Sequence, residues 1–443
     1  MRFACAIQRR HWSSIHERTR HGKTLRLGLI HRILHTEKVG RPQWIAGALL
    51  FVYALQCMWL IRVQTLHGFL PESDHALCIY DGLAQWKTGA IAATPETLRT
   101  EAVTGLGSAG RAGHLRVRDG YDIDRSPYYY LTAAAPVLLQ PRELAPDSTG
   151  GQIWVSAPYL FFGVMMGASL WYVARRLYGN FGGYIALTLY CFSPGIILAT
   201  AGTQSLGEMS GTWGTFGIVF TGIAVAHTLY APREVVLWNA RRILLLGLSV
   251  ALAVGTQFSL VAVLVAILPI MLWVAPVRPR AVLAIWGAAI AVGIVLLAAS
   301  YFFRFGLFWE AMRRARWIDV EPQAFGMMAS YAGTLKGLAA HCPALILALP
   351  AALVAYFRWR RARYFGNTAP LAMAALLFVL AVASPDFSGQ GFRLAMLTFL
   401  FVFVAGVMAD LVETAYGSLV TAGITSLVGA AALWNVVELW RLR

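Results

Sequence analysis

At 443 residues, 58% hydrophobic and only 13% charged, the chain carries too little charge to cover the surface of a soluble protein, and its mean hydropathy of +0.60 points to a bilayer as solvent. The net charge of +16 would suit nucleic acid only if it formed a face. Instead the basic residues stand ahead of the first apolar run and in short loops between later ones, which is an orientation signal and excludes a nucleic-acid partner.

Residues 1–43 form a basic segment with Arg9, Arg10, Arg18, Arg20, Lys23, Arg26, Arg32, Lys38 and Arg41 against Glu17 and Glu37. Within it Leu27, Ile30, Ile33 and Leu34 recur at helical spacing, a pattern that lies along a membrane surface. Because the first apolar run follows this basic stretch, it is expected to be a retained anchor and not a cleaved leader. The membrane domain is expected over 44–443. Spanning about 30 Å of hydrocarbon takes roughly 20 residues of helix. Apolar runs suited to this lie at Trp44–Ile61, Trp154–Val173, Gly183–Ala199, Trp213–Tyr230, Ile243–Val254, Leu260–Val274, Ala281–Tyr301, Pro343–Tyr356, Ala369–Ala383, Leu394–Met408 and Leu419–Val437. The expectation is an all-α polytopic membrane protein with about 11 transmembrane helices, several of them borrowing interfacial residues at their ends.

Placing the N-terminus in the cytoplasm puts every second loop there too. Those loops hold Arg175 and Arg176, then Arg233, Arg241 and Arg242, then Arg278 and Arg280, then Arg358, Arg360, Arg361 and Arg363. The agreement supports both count and direction, except at the loop Asp410 to Gly417, which holds no basic residue and leaves the last hairpin open. On the other face two connections are long, 65–152 and 302–341, and long loops in compact proteins carry function or disorder. The first should carry short helices, one of them starting near Ser73 or Asp74. The five cysteines are scattered and form no metal-type pair; Cys78 and Cys342 both fall near the outer face, where a bridge could form.

Few ionisable residues could carry chemistry. Asp74 follows the first span directly and could take a proton from an acceptor hydroxyl, or merely cap its helix. Glu208 is the only acid between Asp147 and Glu234, and a carboxylate in so apolar a region is a functional candidate by default. Arg313, Arg314 and Arg316, flanked by Trp309 and Trp317, read first as an interfacial helix near lipid headgroups. Arg393, after Gly389-Gln390-Gly391-Phe392, is a better single candidate for a phosphate ligand. No P-loop, dinucleotide fingerprint, HExxH site or GxSxG elbow occurs.

Taken in order, the segments resemble the C-type membrane glycosyltransferase superfamily, in particular its branch of protein O-mannosyltransferases and lipid A aminoarabinose transferases. The likeness rests on Asp74-His75 opening the first outer loop and on Ser126-Pro127-Tyr128-Tyr129-Tyr130-Leu131 before the second span. It continues through Ala174-Arg175-Arg176-Leu177-Tyr178-Gly179, Glu208, the stretch Gly247 to Thr256-Gln257, and Arg393-Leu394. The sequence departs from the family at His75, where a second acid is usual, and at Gln257, where a lysine is usual.

The resemblance implies an enzyme that moves a sugar from a polyprenyl-phosphate donor to an acceptor glycan, lipid or protein at the outer face of a bacterial inner membrane, with inversion. Asp74 and Glu208 would be catalytic. His75, Arg125, Tyr128, Gln257, Arg313, Arg314 and Arg393 would bind substrate. No cofactor is required, and no cluster in the sequence supports a divalent metal. Two rivals remain open: a multi-spanning transporter or lipid flippase, and a relative that binds the lipid carrier without turnover. The apolar runs are nearly free of acids, which counts against ion-coupled transport.

Overall fold

Hydrocarbon offers backbone N–H and C=O groups no water, so each apolar segment must satisfy them internally, and helix is the form that does so. The computed structural model describes residues 43–66, 78–79, 81–83, 85–86, 117–118, 121–122, 124–139, 148–201, 208–229, 236–318, 320–384, 387–412 and 417–441. The strands among them are one antiparallel pair of two residues each, β1 (Val117–Arg118) and β2 (Tyr121–Asp122); nearly everything else is helical. Asp74, His75 and the amphipathic stretch 25–34 lie outside the described residues.

The helices are α1 (Trp44–Leu66), α2 (Pro127–Leu138), α3 (Thr149–Val155), α4 (Ala157–Cys191), α5 (Pro194–Ala201), α6 (Glu208–Thr228), α7 (Val236–Thr256) and α8 (Val261–Val274). They continue with α9 (Pro279–Ser300), α10 (Phe305–Arg314), α11 (Met328–His341), α12 (Leu345–Arg358), α13 (Phe365–Ala383), α14 (Phe387–Val412) and α15 (Gly417–Arg441). All eleven apolar runs fall on these helices. Seven helices among the described residues are long and apolar enough to cross a membrane, or eight if α11 and α12, bent by 110° at a short break, count as one span. Of the remaining runs, Ile243–Val254 lies on the 21-residue α7, while α8 has 14 residues, about 21 Å of rise, and α5 has 8. Conversely α4, at 35 residues, is two helices joined at Gly179, whose φ of 77° is open to glycine and disfavoured for other residues.

The stretch 302–341, expected as a loop, is largely helical: α10, a 3-10 turn at Pro322–Gly326, and α11. In the first long loop, residues 78–79, 81–83 and 85–86 are helical, as short helices there would require. Cys78 and Cys342 are both free thiols, so no bridge joins them.

α14 is the centre of the bundle, with 83% of its membrane window buried, whereas α15 has 6% buried and lies at the rim. α6 and α7 approach closely because a Cβ on Gly214 would stand 2.5 Å from the Ala253 backbone nitrogen; only a residue without a side chain fits there. That close pair matters for function, since α6 starts and α7 ends at the same level: Ser210 Oγ and Thr256 Oγ1 share a hydrogen bond of 2.7 Å.

Candidate active site

Two ends of the bundle can be told apart along α14. Toward its C-terminus Asp410 accepts a 3.0 Å hydrogen bond from Asn367 Nδ2, which also donates to Ala362 O. Tyr178 donates to Gly366 O at 2.6 Å. The arginine-rich turn Arg358–Arg363 and the Arg175-Arg176 pair therefore gather here. Arg393 is 17 residues earlier on the same helix, about 26 Å away at 1.5 Å per residue. Every other described candidate that converges does so at this Arg393 end.

The segment before α2 is fastened to the end of α7 by three hydrogen bonds. Ser126 donates from its backbone nitrogen (3.2 Å) and its hydroxyl (2.7 Å) to Gly255 O, and Phe258 N donates to Asp124 O at 3.0 Å. Arg125 and Gln257 sit inside this clasp. Arg125 is 5% exposed, its guanidinium 4.0 Å from the centre of the Tyr129 ring, and its charge acts on the Glu208 carboxyl. Glu208, the first residue of α6, is partly buried at a helix N-terminus, where the unpaired backbone N–H groups favour a negative charge. Tyr128 lays its ring against Gly255, and its buried hydroxyl has no hydrogen-bond partner. Burial pushes that phenol up to about 12, with the Thr132 and Ser210 hydroxyls nearby pulling it down less strongly. The Tyr129 phenol is raised as well, chiefly by burial, against the pull of Arg125.

Gln257 is 5% exposed; its Nε2 donates to Ser259 Oγ at 2.7 Å, and its Oε1 lies directly against Gly391, where no Cβ could fit. Gly391 brings α14 up to the clasp and so places Arg393, two residues on, at the same site. Arg393 is partly buried and its Nε, closed off from solvent, has no partner. Phe258 also packs against Trp317, the rings tilted by 44° with centres 5.4 Å apart, which anchors the chain following α10.

The structure thus gathers Glu208, Arg125, Tyr128, Gln257 and Arg393 at one end of the bundle. Arg313 and Arg314 are exposed on α10, and Arg314 is paired with Glu310 at 2.8 Å. Asp74 and His75 lie outside the described residues. No group of three His, Cys, Asp or Glu side chains suited to a metal occurs among the described residues. Sequence reasoning missed the Ser126–Gly255 clasp, the Tyr129 platform and Gly391. A glycine or serine inside an apolar run has no local signature; only the contact across 129 residues gives Ser126 its role.

No family model matches the chain, and no curated protein matches it. Solved structures do. ArnT from Cupriavidus metallidurans in the apo state superposes with a TM-score of 0.54 at 12% identity, over 85% of this chain and 62% of that one. The same protein bound to undecaprenyl phosphate gives 0.52 at 13%, over 90% and 71%. The archaeal oligosaccharyltransferase AglB from Archaeoglobus fulgidus, in complex with an inhibitory peptide and a dolichol-phosphate, gives 0.51 at 12%, over 90% and 55%. The chain therefore spans 62% of the length of the apo ArnT chain and little over half of AglB. It shares the fold of ArnT and AglB, and it is an integral, multi-pass membrane protein.

Proposed function

We propose that this chain is a glycosyltransferase that takes a sugar from a polyprenyl-phosphate donor and passes it to an acceptor glycan, lipid or protein at the outer face of a bacterial inner membrane. A single observation carries the reading: Glu208 with its buried partner Arg125, the orphaned Tyr128 hydroxyl, Gln257 and the unpaired Arg393 meet at one end of the helical bundle. The arginine-rich turns lie at the other end, about 26 Å off, and the positive-inside rule supports reading the site as outward-facing and the N-terminus as cytoplasmic. A donor with a long apolar tail reaches such a site by diffusing within the bilayer.

In this mechanism Asp74 takes the proton of the acceptor hydroxyl, whose oxygen attacks the anomeric carbon as the bond to phosphate breaks. One displacement inverts that carbon. Glu208, on whose carboxyl the Arg125 charge acts, orients the acceptor or the sugar, and Tyr128 and Gln257 contact the sugar. His75 neighbours the base. Arg393 faces the phosphate as its charge develops, the moment at which a fixed cation contributes most. Arg313 and Arg314, exposed on α10, meet the donor headgroup before it enters the site.

The test uses purified protein in lipid nanodiscs, a panel of undecaprenyl-phosphate-linked sugars, and release of undecaprenyl phosphate as the readout. Wild type releases it from at least one donor in the presence of cell-envelope acceptors. Asp74→Asn, Glu208→Gln and Arg393→Ala each reduce the rate at least a hundredfold while the protein remains folded. Unchanged release by Asp74→Asn would remove the base; binding of carrier with no turnover from any donor would favour the carrier-binding rival.

A further inference from the structure

Five arginines on two chain segments stand at the end of the bundle opposite the site, and the mechanism above uses none of them. α8 starts just after the Gln257 clasp and runs about 21 Å away from it. The chain then turns through Ala275–Arg278, closed by a 3.1 Å hydrogen bond from Arg278 N to Ala275 O, with Pro276 at the position where its fixed φ suits a turn. Pro279 opens α9, so Arg278 and Arg280 stand on either side of a proline, and both are exposed. On the second segment α12 ends at Arg358 and passes into a 3-10 turn at Arg360–Ala362. Arg358, Arg360 and Arg361 are exposed there.

Both segments are fixed in place. Arg363 caps the end of α12: its Nε donates to Tyr356 O at 3.0 Å and its Nη2 to Phe357 O, carbonyls that a helix end leaves without partners. Asn367 Nδ2 donates to Ala362 O at 3.0 Å, which ties the 3-10 turn to α13. The segments meet where the Phe365 ring packs against Trp273 near the end of α8, with ring centres 5.4 Å apart. The two groups of guanidinium therefore flank one aromatic contact. None of these five arginines has a hydrogen bond or ion pair among the described residues. Asp410, the described acid at this end, accepts from Asn367. Trp273, Phe357 and Trp359 are exposed among the cations, a mixture suited to the level where hydrocarbon meets headgroups.

We propose that the two segments together bind one anionic phospholipid whose headgroup carries two phosphates, a diphosphatidylglycerol (cardiolipin), one phosphate on Arg278 and Arg280 and the other on Arg358, Arg360 and Arg361. A guanidinium presents a planar fork that takes two oxygens of a phosphate, and basic pockets between membrane helices bind such headgroups. Phosphatidylglycerol has one phosphate, so it would satisfy one segment and leave the other without an anion. A free nucleotide would match the charge but would leave the Trp273, Phe357 and Trp359 rings uncovered, where acyl chains cover them. A lipid held by both segments bridges the end of α8 to the turn between α12 and α13. It acts far from the sugar-transfer chemistry, so its effect falls on stability, and the inference stands independently of the proposed reaction.

The test titrates the full chain, purified in detergent and stripped of lipid, with cardiolipin and with phosphatidylglycerol at equal phosphate. Native mass spectrometry counts bound lipid, and the melting temperature reports its effect. Wild type should hold one cardiolipin about tenfold more tightly than phosphatidylglycerol, the size of one hydrogen bond to a charged group, and should melt higher with it. The pair Arg278→Gln with Arg280→Gln, and the pair Arg360→Gln with Arg361→Gln, should each bring cardiolipin down to the level of phosphatidylglycerol. Arg304→Gln with Arg441→Gln removes the same charge from two exposed arginines elsewhere and should leave the preference intact. ATP should not displace the lipid. An equal loss in the charge-matched control would mean diffuse attraction only, and displacement by ATP would mean a nucleotide site; either overturns the proposal. Loss in one pair but not the other would refute a site shared by two segments. Should a variant not fold, wild type alone decides: a tenfold preference upholds the proposal, and equal affinity for the two lipids ends it.

Discussion

Arg125 and Glu208 allow a quantitative test of what holds the site in shape. Arg125 is 5% exposed and stacked on Tyr129, so withdrawing the carboxylate's charge leaves a cation with little access to water. Breaking a buried pair from one side costs about 3–5 kcal/mol, because the abandoned charge stays desolvated. Glu208→Gln leaves a polar amide of the same shape near the guanidinium, which places it near the lower end, about 3 kcal/mol. Arg125→Met should cost less, about 1–2 kcal/mol, since Glu208 is only partly buried and keeps the helix N-terminus beside it. For a chain of this length each kcal/mol moves the melting temperature by roughly 1–2 °C. Glu208→Gln should therefore melt about 3–6 °C lower than wild type, and Arg125→Met about 1–4 °C lower. The double variant, which removes both charges together, should fall short of the sum by about 1–3 kcal/mol. Melting followed by intrinsic fluorescence in detergent measures all three. Strict additivity would show that the two groups do not act on each other, and the account of Arg125 as the charge facing the Glu208 carboxyl would have to be abandoned.

Ser126→Ala removes the hydroxyl that bonds Gly255 O and should cost about 1 kcal/mol, with a larger loss in transfer rate because Arg125 and Gln257 share that clasp. Tyr128→Phe deletes a hydroxyl that has no hydrogen-bond partner, so stability should change by under about 0.5 kcal/mol; a rate that also stays unchanged would remove Tyr128 from the substrate contacts. The same phenol, pushed up to about 12 by burial, should stay neutral through pH 10, seen as absence of its phenolate band near 295 nm in a difference spectrum against the Phe variant. Asp410→Asn, at the far end of α14, should leave donor binding intact, and weakened donor binding would show that the two ends are coupled.

Much of the architecture was readable along the chain because a bilayer imposes a one-dimensional rule: a segment must be apolar for about 20 residues and must be helical. The eleven runs it picked out fall on helix, but only seven or eight helices among the described residues are long and apolar enough to cross a membrane. It could not see that α4 is two helices meeting at Gly179, or that α11 and α12 bend at 110°, since length and hydropathy are blind to direction. Of the candidate site, Glu208 and Arg393 stood out as charges where charge is expensive. Arg125 entered only through the family resemblance, because an arginine in a long polar stretch looks ordinary until Tyr129 and Glu208 are seen around it.

What sequence determined by itself was therefore a set of greasy helices in their order along the chain and a short roll of ionisable residues. What tertiary structure decided was which of those residues meet. Contacts such as Ser126 with Gly255, Gly391 with Gln257, and His341 with Gly195 join positions more than a hundred residues apart. Each depends on a small side chain letting two backbones close up, and a glycine or serine contributes almost nothing to hydropathy or periodicity. The chemistry of the site is spelled by large polar residues, but its geometry is set by small ones that only packing reveals.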